Sequence, residues 1–206
     1  MLIEFNQLGK IYKIKENAFD VIEHVTENAS ICEKSCPKCG KDREYSDHGF
    51  YTRSLHDIVN GEIVYRKDVK ISRVKCNACN ATHAILAAVL VPYCVYSVFF
   101  ILHVISARLI WKKTIEEICL DYDISPSTFR RFMKLYKEHR EEWLALLNQY
   151  GDQKSDEEFI REMMDVEKLF PMLERFCRKA GSCFFQSRTG RKILIWPGFS
   201  DSTPDA

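Results

Sequence analysis

Two cysteine pairs, Cys36-Pro-Lys-Cys39 and Cys76-Asn-Ala-Cys79, constrain this chain more than any other feature. Each pair puts two thiols on one tight turn, which is half the shell of a tetrahedral zinc ion. Gly40 follows the first pair, where the backbone needs positive φ for the amides to converge on a metal. The pairs are 36 residues apart, and between them lies Asn60-Gly61, a strong two-residue hairpin signal. The flanking runs, Phe50 to Asp57 and Glu62 to Lys75, alternate apolar and polar residues as half-buried strands do. A hairpin there returns the chain so that the pairs meet. Cys36, Cys39, Cys76 and Cys79 are therefore the expected ligands of one zinc ion in a small antiparallel zinc ribbon. Four cysteines leave no open coordination position, so the metal is expected to supply folding energy and not catalysis. Cys32 and His83 each lie four residues outside a pair and read as packing or supporting groups more readily than as ligands. Strict alternation puts Ile63, Tyr65, Val69 and Ile71 on one face of the second strand, and Val64, Arg66, Asp68, Lys70 and Ser72 on the other.

The cysteine count is nine, an odd number, and no thioredoxin-like βαβ pattern surrounds either pair, so metal is favoured over disulfides or redox chemistry. The first residues, Met-Leu-Ile-Glu-Phe-Asn, lack the cationic start and apolar run of a secretory signal, and a reducing cytoplasm is expected. From Ala84 to Ala107 there are 24 residues without a formal charge, long enough to cross a bilayer on length alone. Pro92 interrupts that run, and Tyr93, Tyr96, Ser97 and His103 dilute it. The expected reading is a buried strand ending near Val91, a break at Pro92 and a buried helix from about Tyr93, with no membrane span.

Thr114 to Tyr136 (TIEEICLDYDISPSTFRRFMKLY) has the pattern of a helix-turn-helix. Cys119 stands where the two helices cross, Asp123 in the turn, and Ile124, Phe129 and Phe132 pin the second helix. Glycine is the usual turn residue, but aspartate tolerates the left-handed conformation at modest cost. Ser125 reads as the N-cap and Pro126 as the first helical residue. Ser127, Thr128, Arg130, Arg131 and Lys134 project from the faces that the phenylalanines leave free, as groove-reading side chains do. Pro126 to Arg140 carries five bases and one acid, whereas the whole chain balances 30 Lys and Arg against 29 Asp and Glu. Arg66, Lys67, Lys70, Arg73 and Lys75 form a second basic stretch. Two such stretches point to phosphate contacts.

The segmentation expected is a strand and helix extension over 1–31, the ribbon over 32–91, the helical region over 92–150, and an acidic helix with a C-terminal tail over 151–206. That is an α+β chain. Glu157 to Lys179 reads as the acidic helix, and Thr189-Gly190 as the turn of a short terminal hairpin. Asp152 to Cys177 holds eight acids against four bases, which accounts for the near-neutral total. Phe99, Phe100, Trp111, Trp143, Phe184, Phe185 and Trp196 read as core, His103 as helix packing, and His56 beside Asp57 as a strand-end hydrogen bond. No nucleophile elbow, phosphate loop or His-Glu-x-x-His is present, and no enzyme is expected.

Cys36-Pro-Lys-Cys39-Gly, His48-Gly-Phe-Tyr-Thr-Arg-Ser-Leu-His-Asp57, Arg73-Val-Lys-Cys-Asn-Ala-Cys79, Thr82-His-Ala-Ile-Leu and Val91-Pro-Tyr93 resemble a family of uncharacterised bacterial zinc-ribbon and helix-turn-helix proteins. That family looks like the DNA-binding front end of insertion-sequence transposases. The resemblance covers roughly residues 30–140. It implies recognition of the ends of a mobile element, with Arg53 and the basic strand (Arg66, Lys70 and Arg73) on the DNA side. Such transposases continue into a long magnesium-binding catalytic domain, but only about 66 residues follow Arg140, so no transposition by this chain alone is expected. The expected partner is double-stranded DNA bound sequence-specifically, with a transposase or recombinase subunit, or a second copy, as further partner classes. The alternative is a protein-interaction adaptor in which the ribbon and the acidic helix dock a partner.

Overall fold

The computed structural model describes residues 2–4, 17–27, 36, 38–41, 44–147, 155–165, 168–169, 171–173, 175–176, 183–186 and 194–195. The chain is α+β. In order, its elements are β1 (Leu2–Glu4), α1 (Ala18–Glu27), β2 (Tyr45–Val59), β3 (Glu62–Cys76), β4 (Thr82–Ala87), α2 (Val98–Leu109), α3 (Ile115–Asp121), α4 (Pro126–Leu147), α5 (Asp156–Met163) and β5 (Leu194–Ile195). Three antiparallel strands, β2-β3-β4, form the main sheet, and β1 extends it by pairing in parallel with both β4 and β5. The strand and helix expected in the first 31 residues are thus present. The two described strand residues near the chain end, Leu194 and Ile195, lie parallel to β1, and Thr189-Gly190, the expected hairpin turn, lies outside the described residues.

The β2–β3 hairpin turns at Asn60-Gly61, with φ of 54° and 82°, the double positive-φ turn that matches the twist of paired strands. Its alternation is broken twice. His48 and Gly49 together oppose Arg73, and Lys67 and Asp68 together oppose Ser54. Gly49 supplies the positive φ of 70° that the first bulge requires, and its N–H donates to the Asp47 carboxylate at 3.0 Å. The second bulge overturns the expected face assignment. Directly paired residues share a face, and β2 is regular from Phe50 to Val59, so Val69 and Arg66 (opposite Arg53 and Leu55) lie together. Lys70, opposite Thr52, points the other way. Burial agrees: Leu55, Val69 and Ile71 are buried, while Ile63 and Tyr65, expected beside them, are exposed.

The uncharged stretch resolves into β4, a turn and α2. Pro92 does break it, but the helix starts at Val98 and not near Tyr93, because Val91 to Cys94 closes a turn (Cys94 N–H to Val91 C=O, 3.2 Å) and Ser97 is the N-cap, its hydroxyl accepting from Phe100 N–H at 3.0 Å. Nearly every residue of α2 is buried, so it is apolar all round. Among the described residues no helix is long and apolar enough to cross a membrane.

Asp57 and His56 depart from expectation too. Asp57 is fully buried and accepts from the Ala18 amide (2.7 Å) and from the Ser97 hydroxyl, tying α1, β2 and the cap of α2 together. The His56 ring packs instead against Tyr65 and Tyr96, with centroids at 4.5 Å and 5.1 Å.

A second apolar cluster surrounds Trp143, whose indole stacks on Phe184 at 4.2 Å and meets Phe159, Phe176 and Phe185. Of the expected aromatic core, Phe99, Phe100, Trp143, Phe184 and Phe185 are buried, Trp111 is 52% exposed, and Trp196 lies outside the described residues. The expected acidic helix is interrupted: α5 ends at Met163, capped by Met164, and the described residues 168–169, 171–173 and 175–176 are helical again. It buries Phe159, Ile160 and Met163, and its first turn pairs Asp156 with Arg140 and Glu157 with Lys112.

Candidate functional site

The two cysteine pairs build the same local structure twice. Cys36 N–H donates to Lys41 C=O (2.7 Å) and Gly40 N–H to Cys36 C=O (2.8 Å); Cys76 N–H donates to Ala81 C=O (2.8 Å) and Asn80 N–H to Cys76 C=O (2.9 Å). The residue after each pair has positive φ, 73° at Gly40 and 58° at Asn80, which glycine and asparagine tolerate. The second turn joins β3 to β4, and the first precedes β2. Asn77 N–H donates to Glu44 C=O at 2.7 Å, and β2 pairs Tyr45 with Cys76, so the hairpin's own register brings the turns together.

All four Sγ atoms lie within 4.8 Å of one another, a cluster that can hold one metal ion. Cys36 and Cys79 are 3.6 Å apart and Cys39 and Cys76 3.7 Å, so thiols of the two turns meet directly. Cys36 and Cys76 are buried, Cys79 is half-buried and Cys39 faces solvent. Burial pushes the Cys36 thiol up, but the amides of Cys39 and Lys38, with His83 and Cys79, more than offset this and bring it down to about 5. The Lys41 amide favours the Cys39 thiolate, yet burial and the other thiols outweigh it and raise Cys39 to about 12. The Cys36 thiolate thus forms readily, whereas that of Cys39 calls for a cation beside it. His83, on β4 opposite Val74, is buried with Nε2 3.3 Å from Cys36 Sγ, in contact with the cluster as a supporting group. Cys32 lies outside the described residues.

Beyond α2, α3 opens on a capping box formed by Thr114 and Glu117. A four-residue turn, Tyr122 to Ser125, leads into α4, with Asp123 at φ 48° and Ile124 N–H donating to Cys119 C=O at 3.1 Å. Ile118, Ile124, Phe129, Phe132 and Tyr136 are buried, and Cys119 is half-buried. Ser127, Arg130, Arg131, Lys134 and Lys137 are exposed, and Thr128 is half-exposed. Ser125 caps α4 by accepting from Thr128 N–H at 3.1 Å, and the Ser127 hydroxyl lies 2.7 Å from it. Lys134 pairs loosely with Glu138 at 3.6 Å, while Arg140 is taken up by Asp156 and Glu141.

The remaining bases do not form one surface. Arg53 is half-buried, and its guanidinium donates to the carbonyls of Cys94 and, at 3.5 Å, Val91. Arg66 lies over the Phe19 ring at 4.3 Å, Lys70 over Phe50 at 5.0 Å on the opposite face, and Arg73 is half-buried opposite Ala84. Arg131 reaches Cys94 Sγ at 3.5 Å, so Cys94, which no motif marks, is a node shared by Arg53 and Arg131.

The fold and this site define an α+β chain with a four-thiol cluster able to hold a metal ion. Over residues 36–132 the sequence matches a family described as a domain of unknown function (DUF6431), a span that runs from the first Cys-x-x-Cys pair to the second turn of α4. No curated protein and no solved structure matches the chain.

Proposed function

We propose that this chain is a zinc-ribbon and helix-turn-helix protein that binds double-stranded DNA sequence-specifically, with zinc in a structural role. The observation that carries the reading is α4: its Phe129, Phe132 and Tyr136 are buried while Ser127, Arg130, Arg131, Lys134 and Lys137 stand outward, next to a turn whose Asp123 adopts the conformation usually given to glycine. That arrangement leaves a basic helix face free for a groove. Zinc suits the thiol cluster, because Zn–S bonds of about 2.3 Å in a tetrahedron set sulfurs about 3.8 Å apart, close to the 3.6 Å and 3.7 Å between the turns. In the same reading the bound sequence is the end of a mobile element and the protein partner is a transposase or recombinase subunit, as the family resemblance implies.

Selection of purified protein against a random duplex pool, with and without chelator, tests the reading. Enrichment of one sequence is expected, with affinity falling steeply as salt rises. Replacing Arg130 and Arg131 with Ala is expected to lower the salt slope by about two while leaving the fold intact. Absence of any enriched sequence rejects DNA recognition, and weak salt dependence with a co-purifying protein favours the adaptor.

A further inference from the structure

Tyr93 is the most exposed of the large apolar side chains among the described residues, at 91%, and it sits on backbone of φ 56°. It is the third residue of the turn Val91-Pro92-Tyr93-Cys94, where proline precedes a positive-φ position that normally holds glycine or asparagine. A tyrosine there strains the backbone and gains no packing in return. Strain of this kind persists only where the surroundings impose it, and it collects at functional sites.

The surroundings here are rigid. Cys94 N–H closes the turn onto Val91 C=O, Arg53 holds the carbonyls of both Val91 and Cys94, and Cys94 itself is buried. Immediately downstream, His56 N–H donates to Val95 C=O at 2.7 Å and Ser97 N–H to His56 C=O at 3.0 Å, pinning the segment to the free edge of β2. The ring is therefore displayed by a fixed support. That support adjoins α4, because Arg131 Nη2 is 3.5 Å from the sulfur of Cys94, the next residue in the chain. Tyr93 stands within about one residue's length, 3.8 Å of backbone, of the residue that Arg131 touches.

We propose that Tyr93 is a second DNA-contacting element, its ring laid against the sugars and base edges of the duplex beside the groove that α4 enters. The proposal rests on the DNA-binding reading above. Double-stranded DNA is favoured over a protein because Tyr93 adjoins Cys94, whose sulfur the exposed Arg131 of the basic α4 face reaches at 3.5 Å. A neutral aromatic beside a basic helix face approaches a phosphate-lined surface without repulsion. Tyrosine also brings a large contact area at little cost in side-chain entropy.

The test is Tyr93→Gly in the full chain, measured on the duplex that the wild-type protein selects. Glycine suits the positive φ, so the unfolding midpoint is expected to stay level or to rise by up to about 4 °C. Duplex affinity is expected to fall about tenfold, the low end of what a contact at a duplex base edge contributes. The salt slope should not change, because an uncharged ring neutralises no phosphate. Affinity equal to the wild type overturns the proposal and leaves the DNA reading standing. A lower midpoint accompanying the lost affinity makes Tyr93 a packing residue, and a shallower salt slope traces the loss to a displaced Arg131; either result overturns it. Failure of the wild-type protein to bind any duplex removes the reading and the proposal together.

Discussion

Removing the Asp57 carboxylate is expected to loosen three elements at once. Its two oxygens take the Ala18 amide at the start of α1 and the Ser97 hydroxyl that caps α2, all of it out of reach of solvent. In Asp57→Ala both donors stay buried without an acceptor, at roughly 1–3 kcal/mol each. Part of that is regained, because the variant no longer buries a carboxyl group, so a loss of about 3 kcal/mol is expected. Ser97→Ala removes the same contact together with the bond to Phe100 N–H, whose loss as an N-cap costs about 1 kcal/mol. Urea unfolding followed by circular dichroism on the wild type, both single variants and the double variant closes a cycle, and a coupling of at least about 1 kcal/mol is expected for groups in direct contact. A loss below about 1 kcal/mol for Asp57→Ala, or additivity within about 0.5 kcal/mol, refutes the bridging role.

The same residue makes a pH prediction. Burial raises the Asp57 carboxyl above its ordinary 3.8, against the opposing effect of Ser97 and the amides of Ala18 and Ile58. A raised carboxyl gives its full stabilisation below the unfolded value and loses it as pH climbs through the folded value. Asp57→Asn does not titrate. The penalty of that variant relative to wild type should therefore shrink as pH rises from about 3.5 toward neutrality. A penalty that grows over this window means that the charged form is the favoured one and that the hydrogen bonds outweigh the burial.

Metal analysis should find one zinc per chain, and Cys76→Ser, which removes a buried thiol at the end of β3, should abolish it and cost at least about 10 °C in unfolding midpoint; retained zinc refutes the four-thiol site. Trp143→Ala should cost about 3–5 kcal/mol in denaturant unfolding, because it empties the space between α4, α5 and Phe184, and a loss under about 1 kcal/mol means the cluster is not a core. Asp123→Gly should raise stability by about 0.5 kcal/mol by relieving the φ of 48°, and a decrease means that the carboxylate holds the turn.

Local signals in this chain were legible and relayed ones were not. Cys-x-x-Cys followed by Gly40, the Asn60-Gly61 turn, and the Ser125 cap before Pro126 each act over four residues or fewer, and each forms as the sequence implies. The faces of β3 failed because counting in twos assumes an unbroken ladder, and one added residue at Lys67–Asp68 reverses every side chain beyond it. The start of α2 failed because Pro92 serves a turn of its own and leaves the capping to Ser97. Asp57 stands beside His56 in the chain, whereas its partners lie 39 and 40 residues away. Cys94 carried no signal at all, since its role comes from two arginines on other elements.

The stretch that most resembles a membrane span packs the thiol-bearing hairpin and the basic helix onto one core. A helix that is apolar on every side must be covered on every side, and α2 meets β2, α3, α4 and α5. The chain that leaves the second cysteine turn becomes β4, closes the Val91–Cys94 turn and enters α2 within 20 residues of Cys79. The hairpin joined at its base by the thiols is thus tied to the same apolar centre that holds Phe129 and Phe132, and through them the exposed face of α4. A metal bound among the four thiols would stabilise β2, β3 and β4 together, and that sheet is what Arg53 and His56 use to fix the loop beside Arg131. In this arrangement the cysteine-bearing hairpin and the basic helix are joined through the apolar centre they share.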